Sequence, residues 1–182
     1  MAAAKTRRLG QVPAAIVGDA LQRMTVMDGG IRLFTGRVGL LGNALTVDVR
    51  PGDNLAIHRA LDEARPGDVL VVNGHGDMTR ALIGDLIGEI MVNAGVVGAV
   101  VDGAVRDVQA LSELGLAVYA RAVTPAGPFK NGPGAIGAPV AVAITYDAAD
   151  QGTTYSSDLG DAKMAAYRAQ RAAADLPPLP TP

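Results

Sequence analysis

The chain has 182 residues, of which 49% are hydrophobic, 19% are charged and 3% are aromatic, with a formal net charge of −2. This composition is typical of a globular domain with an aliphatic core, and it excludes a disordered chain. The balanced charge offers no basic surface for DNA or RNA, so no nucleic-acid partner is expected. Because the chain has no cysteine, disulfides, thiolate metal sites and cysteine nucleophiles are excluded, and any metal ligands must be oxygen or imidazole groups.

The apolar stretches are short and interrupted. Residues 1–8 are basic, but Pro13 and Gly18 break the following segment, which therefore lacks the apolar region of a signal peptide. Runs such as residues 96–101 are far shorter than the roughly 20 residues that a membrane-spanning helix requires. We therefore expect a cytoplasmic protein with no membrane partner.

Apolar spacing and turn residues predict alternating helices and strands. The first predicted elements are a helix over 12–24, two strands within 33–49, and a helix over 54–61 with Asp53 as its N-cap. The next are strand 69–72, helix 85–93, strand 96–101, helix 106–114 and strand 117–120. After an irregular Gly- and Pro-rich loop over 124–139, the remaining elements are strand 140–146 and helix 158–174. We expect one domain over 1–174 and a proline-rich, extended or disordered tail over 175–182.

The central third of the chain predicts an α/β fold. Short apolar strands alternate there with helices of about ten residues, which is typical of βαβ units with parallel strands. In such units all strands end at one edge of the sheet, beside helix starts that favour anions. Asp85 opens one predicted helix and Arg106-Asp107 opens the next, so all three side chains are expected to meet at that edge.

Two carboxylates and a guanidinium at one edge suit a specific chemistry. Asp85 and Asp107 offer hard oxygen ligands for Mg²⁺ or Mn²⁺, and Arg106 offers a cation for a substrate carboxylate. The alternative is that both acids are ordinary helix-starting residues that interact with the helix dipole, and that Arg106 is a surface ion-pair partner.

The same residues resemble a known family. Gly84-Asp85, followed after twenty residues by Val105-Arg106-Asp107-Val108, resembles the Asp-X20-Arg-Asp motif of the RraA-like family, which includes class II 4-hydroxy-4-methyl-2-oxoglutarate/4-carboxy-4-hydroxy-2-oxoadipate aldolases. Further segments that look like the family begin at Met27, Pro51, Arg65, Val101 and Val123. The resemblance covers roughly residues 12–140 and ends after Pro139.

The resemblance implies an RraA-like swivelling β/β/α domain and assigns roles to the motif. Asp107 would bind a divalent cation, Mg²⁺ or Mn²⁺, directly, and Asp85 would hold a metal-bound water. Arg106 would grip the pyruvate part of the substrate and, with Asp85, act in catalysis. The substrate carboxylate would be bound by main-chain N–H groups at the helix start, in Ile83, Gly84, Asp85 and Leu86.

The activity that the resemblance implies is a metal-dependent lyase. It would cleave 4-hydroxy-2-oxo diacids to pyruvate through an enolate, and oxaloacetate decarboxylation would be an accompanying or principal activity. The partner would be a small 2-oxo acid, and the assembly a homotrimer or a hexamer made of two trimers. The alternative is a non-catalytic regulator that binds a ribonuclease, because the family takes its name from an inhibitor of ribonuclease E.

Five other polar residues give weaker signals. Lys130 is the lysine best placed for a Schiff base, although a solvated loop lysine is the favoured interpretation. His75 could touch substrate, but a loop histidine without a chemical role is favoured. His58 is predicted to pack in the core with one nitrogen satisfied. Asp77 and Asp102 are both predicted to cap turns. The alternative for Asp77 is an additional outer carboxylate of the site, and the alternative for Asp102 is a metal ligand.

Overall fold

The structure, a computed structural model, describes residues 12–21, 26–36 and 39–142. The helices are α1 (Ala14–Ala20), α2 (Leu55–Leu61), α3 (Asp85–Asn93) and α4 (Val108–Glu113). The strands are β1 (Arg32–Leu33), β2 (Asn43–Val49), β3 (Asp68–Ile83), β4 (Gly98–Val105), β5 (Ala117–Val123) and β6 (Gly134–Ile136). The predicted helix over 158–174 and the predicted tail lie outside the described residues, so the extent of the domain stays a prediction.

The six described strands form one sheet in the order β1-β5-β4-β3-β2-β6. The four central strands are parallel, since β2 pairs with β3, β3 with β4 and β4 with β5 in that sense. The edge strands β1 and β6 pair antiparallel with β5 and β2. The predicted α/β fold with parallel βαβ units is confirmed, and the loops after β3 and β4 leave the same edge of the sheet.

Burial explains why the central strands carry continuous apolar runs. Leu70, Val72 and Val101 are fully buried on the face that packs against α2, α3 and α4, where Ile57, Ile87, Met91 and Leu111 meet them. A smaller cluster, which contains Val69 and Val100, lies on the other face. Complete burial of one such side chain stabilises the fold by about 1.5–3 kcal/mol, so a few of them fix the frame that holds the following loops.

Two elements differ from the prediction in ways that affect the site. Strand β3 has sixteen residues rather than the predicted four, because it continues through irregular pairing after Asn73. The backbone there takes positive φ at His75 (57°) and Gly76 (71°), so a turn-like sequence is accommodated inside the strand. Helix α4 begins at Val108 rather than Arg106, because Asp107 is left-handed and cannot lie within an α-helix.

The remaining differences are local. The N-cap of α2 is Asn54 rather than Asp53, although the Asp53 carboxylate does accept the Leu55 N–H. The loop predicted over 124–139 contains β6, which adds to the edge of β2. Residues 140–142 are not in a strand, and the rest of that predicted strand lies outside the described residues. None of the described helices has the length and apolar character needed to cross a membrane.

Candidate active site

The site lies where β3 and β4 end. Gly84 and Asp85 follow β3 directly, and Arg106 and Asp107 follow β4. The two exits are joined by a hydrogen bond from the Arg106 N–H to the carbonyl oxygen of Ile83, at 2.9 Å. The parallel pairing of β3 and β4 therefore places residues that are about twenty positions apart in sequence side by side.

Asp107 is the centre of the contacts between these residues. Its Oδ2 accepts the Asp85 N–H at 3.3 Å and lies 3.2 Å from Arg106 Nε. That contact is the only ion pair of Arg106 within the described part of the chain. The structure thus brings Asp85, Arg106 and Asp107 together at one edge of the sheet, while their roles as metal ligands and catalytic groups stay predictions.

Gly84 allows this close approach because it lacks a side chain. A Cβ at this position would lie 2.6 Å from Asp107 Oδ2 and 2.9 Å from Arg106 Nε. The backbone of Gly84 is extended (φ −145°), a conformation that any residue adopts, so the glycine is required for space rather than for conformation.

Asp107 is held in an unusual backbone conformation, with φ 52° and ψ 40°. For a residue other than glycine this left-handed geometry costs roughly 1–2 kcal/mol, although aspartate tolerates it better than most. Such costs persist where the surrounding structure enforces them, and they concentrate at functional sites. Here the backbone turns between β4 and α4 so that the carboxylate points back toward Asp85 and Arg106.

The start of α3 presents N–H groups to carboxylate oxygens. The Leu86 N–H donates to Asp85 Oδ1 at 2.7 Å, and the Asp85 N–H donates to Asp107 Oδ2. Helix α3 has nine residues, and the dipole at its N-terminus favours anions. Ile83 has a buried side chain, so only its main chain is available for the substrate contact that was predicted for it.

The donor set at this edge fits a hard divalent cation. Asp107 Oδ1 accepts no hydrogen bond from the described residues, and the neighbouring carboxylate of Asp85 is exposed. Mg²⁺ commonly takes one or two carboxylates and keeps several waters, so two protein oxygens suffice. Among residues 12–21, 26–36 and 39–142, no three acidic or histidine side chains are grouped closely enough to hold a metal ion. The remaining ligands would therefore be water or substrate oxygens.

A second wall faces this edge across an open cleft. It is formed by Asn54 and His58 of the α2 region and by Pro128 and Lys130 of the long loop. Asn54 is 3% exposed, and its Nδ2 donates to the Leu82 carbonyl oxygen at 3.1 Å. Its Oδ1 and the Nε2 of His58 are buried without a hydrogen-bond partner. Because unpaired buried polar atoms are costly, these two atoms are candidates for substrate contact.

Burial and a neighbouring positive charge favour the neutral form of His58. Burial lowers the pKa of its imidazole below the ordinary value, and the positive charge of Lys130 lowers it further, against a weaker opposing effect of Asp62. A neutral imidazole offers one donor and one acceptor, so His58 can hydrogen-bond to a substrate hydroxyl or carboxylate without carrying charge.

Sequence reasoning missed this second wall. His58 was expected to pack in the core with one nitrogen satisfied, and a single unpartnered nitrogen, Nε2, is compatible with this, but the position of that atom beside the cleft was not predicted. Lys130 is exposed, as expected for a loop lysine, but it lines the cleft as well. The four-residue spacing of Asn54 and His58 was a usable signal, because it places both side chains on one side of the helix start.

The other polar candidates do not line this cleft. His75 pairs with Asp48 at 3.0 Å. The carboxylate of Asp77 accepts the Thr79 N–H and hydroxyl, which agrees with the expected turn role. Asp102 was expected to cap the turn before Arg106, and this is wrong, because it lies within β4 and pairs with Arg121.

Comparison with known proteins gives the family. The family model described as RraA-like, Aldolase/RraA, matches residues 14–150. The chain belongs to the RraA-like family. A 4-hydroxy-4-methyl-2-oxoglutarate aldolase from Thermus thermophilus is 36% identical over 125 residues, which are 69% of this chain and 72% of that protein. A protein from Halalkalibacterium halodurans, to which the same name is provisionally attached, is 39% identical over 71% of this chain, which corresponds to 61% of its own length.

Solved structures agree with this RraA-like assignment. The RNA-processing inhibitor RraA from Thermus thermophilis matches with a TM-score of 0.65 and 29% identity, over 71% of this chain and 78% of that one. The fold is therefore that of the RraA-like proteins. Both of these curated relatives carry the name of an aldolase, that is a lyase.

Proposed function

We propose that the chain is a divalent-metal-dependent lyase that cleaves 4-hydroxy-2-oxo diacids to pyruvate. The observation that supports this most directly is the contact of Asp85, Arg106 and Asp107 beside the start of α3. A cation site, a guanidinium and carboxylate-binding N–H groups are then adjacent, and these are the groups that a 2-oxo acid requires.

The reaction breaks the C3–C4 bond of the substrate and leaves its electron pair as the enolate of pyruvate. Negative charge develops on the C2 oxygen, and the Arg106 guanidinium stabilises it. The proton of the C4 hydroxyl must leave at the same time, and the Asp85 carboxylate accepts it directly or through a water. Asp107 would hold Mg²⁺ or Mn²⁺ directly and Asp85 would hold it through water, and the ion would supply Lewis-acid chemistry to the 2-oxo acid.

The first wall of the cleft, formed by the residues that follow β3 and β4, binds the pyruvate half of the substrate, and the second wall binds the other half. The N–H groups of Asp85 and Leu86, which donate to the carboxylates of Asp107 and Asp85 in the structure, exchange these acceptors for the carboxylate of the pyruvate half. Lys130 binds the second carboxylate, and the unpartnered atoms of Asn54 and His58 hydrogen-bond to the groups on C4. Because no described carboxylate pairs with Lys130, its charge is available for an anionic substrate.

Oxaloacetate decarboxylation fits the same site. Loss of CO₂ from C4 leaves the bonding electrons on C3 and produces the same enolate, so Arg106 stabilises both reactions in the same way. No base is needed for this step, because oxaloacetate has no C4 hydroxyl. We therefore propose that the decarboxylase activity depends on Arg106 and Asp107 more strongly than on Asp85.

The test is release of pyruvate from a 4-hydroxy-4-methyl-2-oxo diacid and from oxaloacetate, with Mg²⁺, Mn²⁺ or a chelator. Asp107→Ala should abolish metal-dependent turnover of both substrates. Glu89→Ala is the matched control, because Glu89 is an exposed carboxylate on α3 that, unlike Asp107, contacts neither Arg106 nor the Asp85 N–H. Equal activity of wild type and Asp107→Ala would refute the proposed function.

The assembly and location are proposed together with the function. The cleft has a cavity volume of only about 40 Å³, whereas ligand pockets commonly enclose about 300–1,000 Å³. We therefore propose that a neighbouring subunit closes the site, in a cytoplasmic homotrimer or a hexamer made of two trimers. Sedimentation equilibrium of the full chain should give a mass of three or six subunits, and a monomer under assay conditions would contradict this assembly.

A second candidate function is regulation of RNA processing, which the structural match to an RNA-processing inhibitor favours. A regulator needs no metal site, so Asp107→Ala should still bind a ribonuclease scaffold with wild-type affinity. If wild type and Asp107→Ala both bind the ribonuclease scaffold and neither releases pyruvate, the regulator is favoured. Absence of binding to the scaffold would exclude the regulator.

A further inference from the structure

Asp53 is a buried carboxylate that joins two distant segments. It is 1% exposed, and its Oδ1 accepts the Leu55 N–H at 3.0 Å. Its Oδ2 accepts the N–H groups of Asn131 at 2.9 Å and Gly132 at 2.6 Å. One side chain thereby fixes the start of α2 and a loop almost eighty residues further along the chain.

Main-chain hydrogen bonds continue the same junction. The Phe129 N–H donates to the Gly52 carbonyl oxygen at 2.8 Å, and the Asn54 N–H donates to the Phe129 carbonyl oxygen at 3.0 Å. The residues that this junction holds are those of the second wall, since Asn54 lies beside Asp53 and Lys130 lies between Phe129 and Asn131. The spacing between Lys130 and the Asn54–His58 pair therefore depends on Asp53.

A second Pro-Gly-Asp turn in the same chain provides a comparison. Asp68 follows Pro66-Gly67 as Asp53 follows Pro51-Gly52, and it is nearly as buried, at 8% exposed. Its carboxylate accepts the Arg65 N–H at 2.9 Å, three residues away. Asp68 therefore stabilises its own turn, whereas Asp53 connects two segments that line the cleft.

The charge of Asp53 contributes to this connection. Burial alone would raise the pKa of its carboxyl, but hydrogen bonds from Leu55, Asn131 and Gly132 and the charge of Arg50 outweigh burial and lower it. Hydrogen bonds to an ionised acceptor are roughly twice as strong as those between neutral groups. An asparagine amide would present two N–H donors where the loop also presents donors, so it cannot reproduce the arrangement.

We infer that Asp53 is a positioning residue that holds Lys130 against the Asn54–His58 wall and thereby makes the cleft selective for 2-oxo acids with a second carboxylate. This inference rests on the proposed function. Asp53 touches no reacting atom, so its loss should affect recognition of the far half of the substrate and leave the chemistry at Arg106 and Asp107 in place.

The experiment compares three reactions of the full chain with Mg²⁺. The first is exchange of the pyruvate methyl protons with deuterium, in which Asp85 or a water that it holds takes the C3 proton and Arg106 and the metal site stabilise the enolate, so that the second wall is not needed. The second and third are cleavage of a 4-hydroxy-2-oxo diacid and of a matched monoacid without the second carboxylate. The variants are Asp53→Asn and Gly132→Ala. The second variant perturbs the same contact from the loop, because a Cβ on Gly132 would lie 2.8 Å from Asp53 Cγ and displace the loop. Asp68→Asn is the matched control.

Both variants should lower kcat/KM for the diacid by about ten- to a hundredfold, mainly through KM, which corresponds to loss of an interaction between charged groups. Cleavage of the monoacid and pyruvate exchange should change less than threefold. Amide hydrogen exchange at Asn131 and Gly132 should accelerate in Asp53→Asn, a result that does not depend on activity. Asp68→Asn should retain the wild-type ratio of diacid to monoacid cleavage.

Equal losses on the diacid and the monoacid in the folded variants would overturn the inference, because they would indicate a general structural role. An unchanged diacid rate would overturn it as well. If Asp53→Asn does not fold, Gly132→Ala decides between these outcomes. Absence of pyruvate exchange in the wild type refutes the proposed function instead, and the two failures are therefore distinguishable.

Discussion

Substitution of Gly84 by alanine tests whether the contacts around Asp107 serve activity. The added Cβ would lie 2.6 Å from Asp107 Oδ2. If about 3.5 Å is taken as ordinary contact, the carboxylate must move by about 0.9 Å. Metal–ligand distances tolerate only about 0.2 Å, so Asp107 would leave its place in the proposed coordination shell. Arg106 must move as well, because its Nε would lie 2.9 Å from the new methyl group.

The expected loss in kcat/KM is about a hundredfold, since misplacement by about 1 Å commonly has that effect. In free energy this is about 2.7 kcal/mol of transition-state stabilisation, at about 1.36 kcal/mol for each factor of ten. Stability should fall by less than about 1 kcal/mol, because the atoms that must move, including Arg106 Cγ, belong to partly exposed side chains and Gly84 has an ordinary extended backbone.

Steady-state pyruvate release at several Mn²⁺ concentrations, together with urea denaturation, measures both quantities. Gly29→Ala is the matched control, because a Cβ at Gly29 meets no atom within 4 Å. A Gly84→Ala enzyme with wild-type kcat/KM and wild-type metal affinity would refute the argument that the closeness of Gly84, Arg106 and Asp107 matters for function.

Three further predictions concern the charged and titrating groups of the cleft. Arg106→Lys should lower kcat/KM by about a hundredfold, because an ammonium group cannot reproduce the planar guanidinium that contacts Asp107; a loss below threefold in the pyruvate assay would contradict this. Lys130→Met removes a charge that lowers the pKa of His58, so an NMR titration should show that pKa rising, and an unchanged pKa would place Lys130 away from the imidazole. Because the folded-state pKa of His58 lies below its unfolded value of 6.5, protons bind the unfolded chain more tightly. The free energy of unfolding should therefore fall as the pH drops from about 7.5 to about 5.5, and urea denaturation should show a smaller fall in His58→Gln.

The parts of the site next to the central strands could be predicted from the sequence. Apolar runs identified β3, β4 and β5, and parallel pairing then required their exits to lie together. Asp85 and Arg106-Asp107 follow two neighbouring strands, so their proximity was determined by secondary structure alone. The left-handed conformation of Asp107 could not be predicted, because the sequence does not distinguish an aspartate that precedes a helix from one that is the first helical residue.

The length of β3 shows a different limit. Asn73-Gly74-His75-Gly76-Asp77 has the composition of a turn, and local propensity therefore predicted the end of the strand. In the structure His75 and Gly76 take positive φ within the strand, and the pairing with β4 resumes beyond them. Contacts with a neighbouring strand, which local sequence does not contain, decided the outcome.

The second wall could not be derived from spacing because its parts are far apart in the chain. His58 and Lys130 approach each other through the junction at Asp53, and the sequence contains two Pro-Gly-Asp turns with nothing local to distinguish them. Only the fold shows that Asp53 accepts hydrogen bonds from the distant loop whereas Asp68 accepts one from its own turn.

The two walls also differ in how they tolerate change, and this has a consequence for substrate choice. The main chain of Arg106 and Asp107 directly follows β4, whose buried residues belong to the core, so the main chain at this point cannot shift without disturbing the sheet. Lys130 is carried by a loop whose position depends on a few hydrogen bonds around Asp53. Under the proposed function, substitutions within that loop should therefore alter which groups on C4 are accepted, while the proposed enolate formation at the strand ends should be preserved. For this reason we expect substrate preference to respond to changes around Lys130, and the shared chemistry to respond to changes around Asp107.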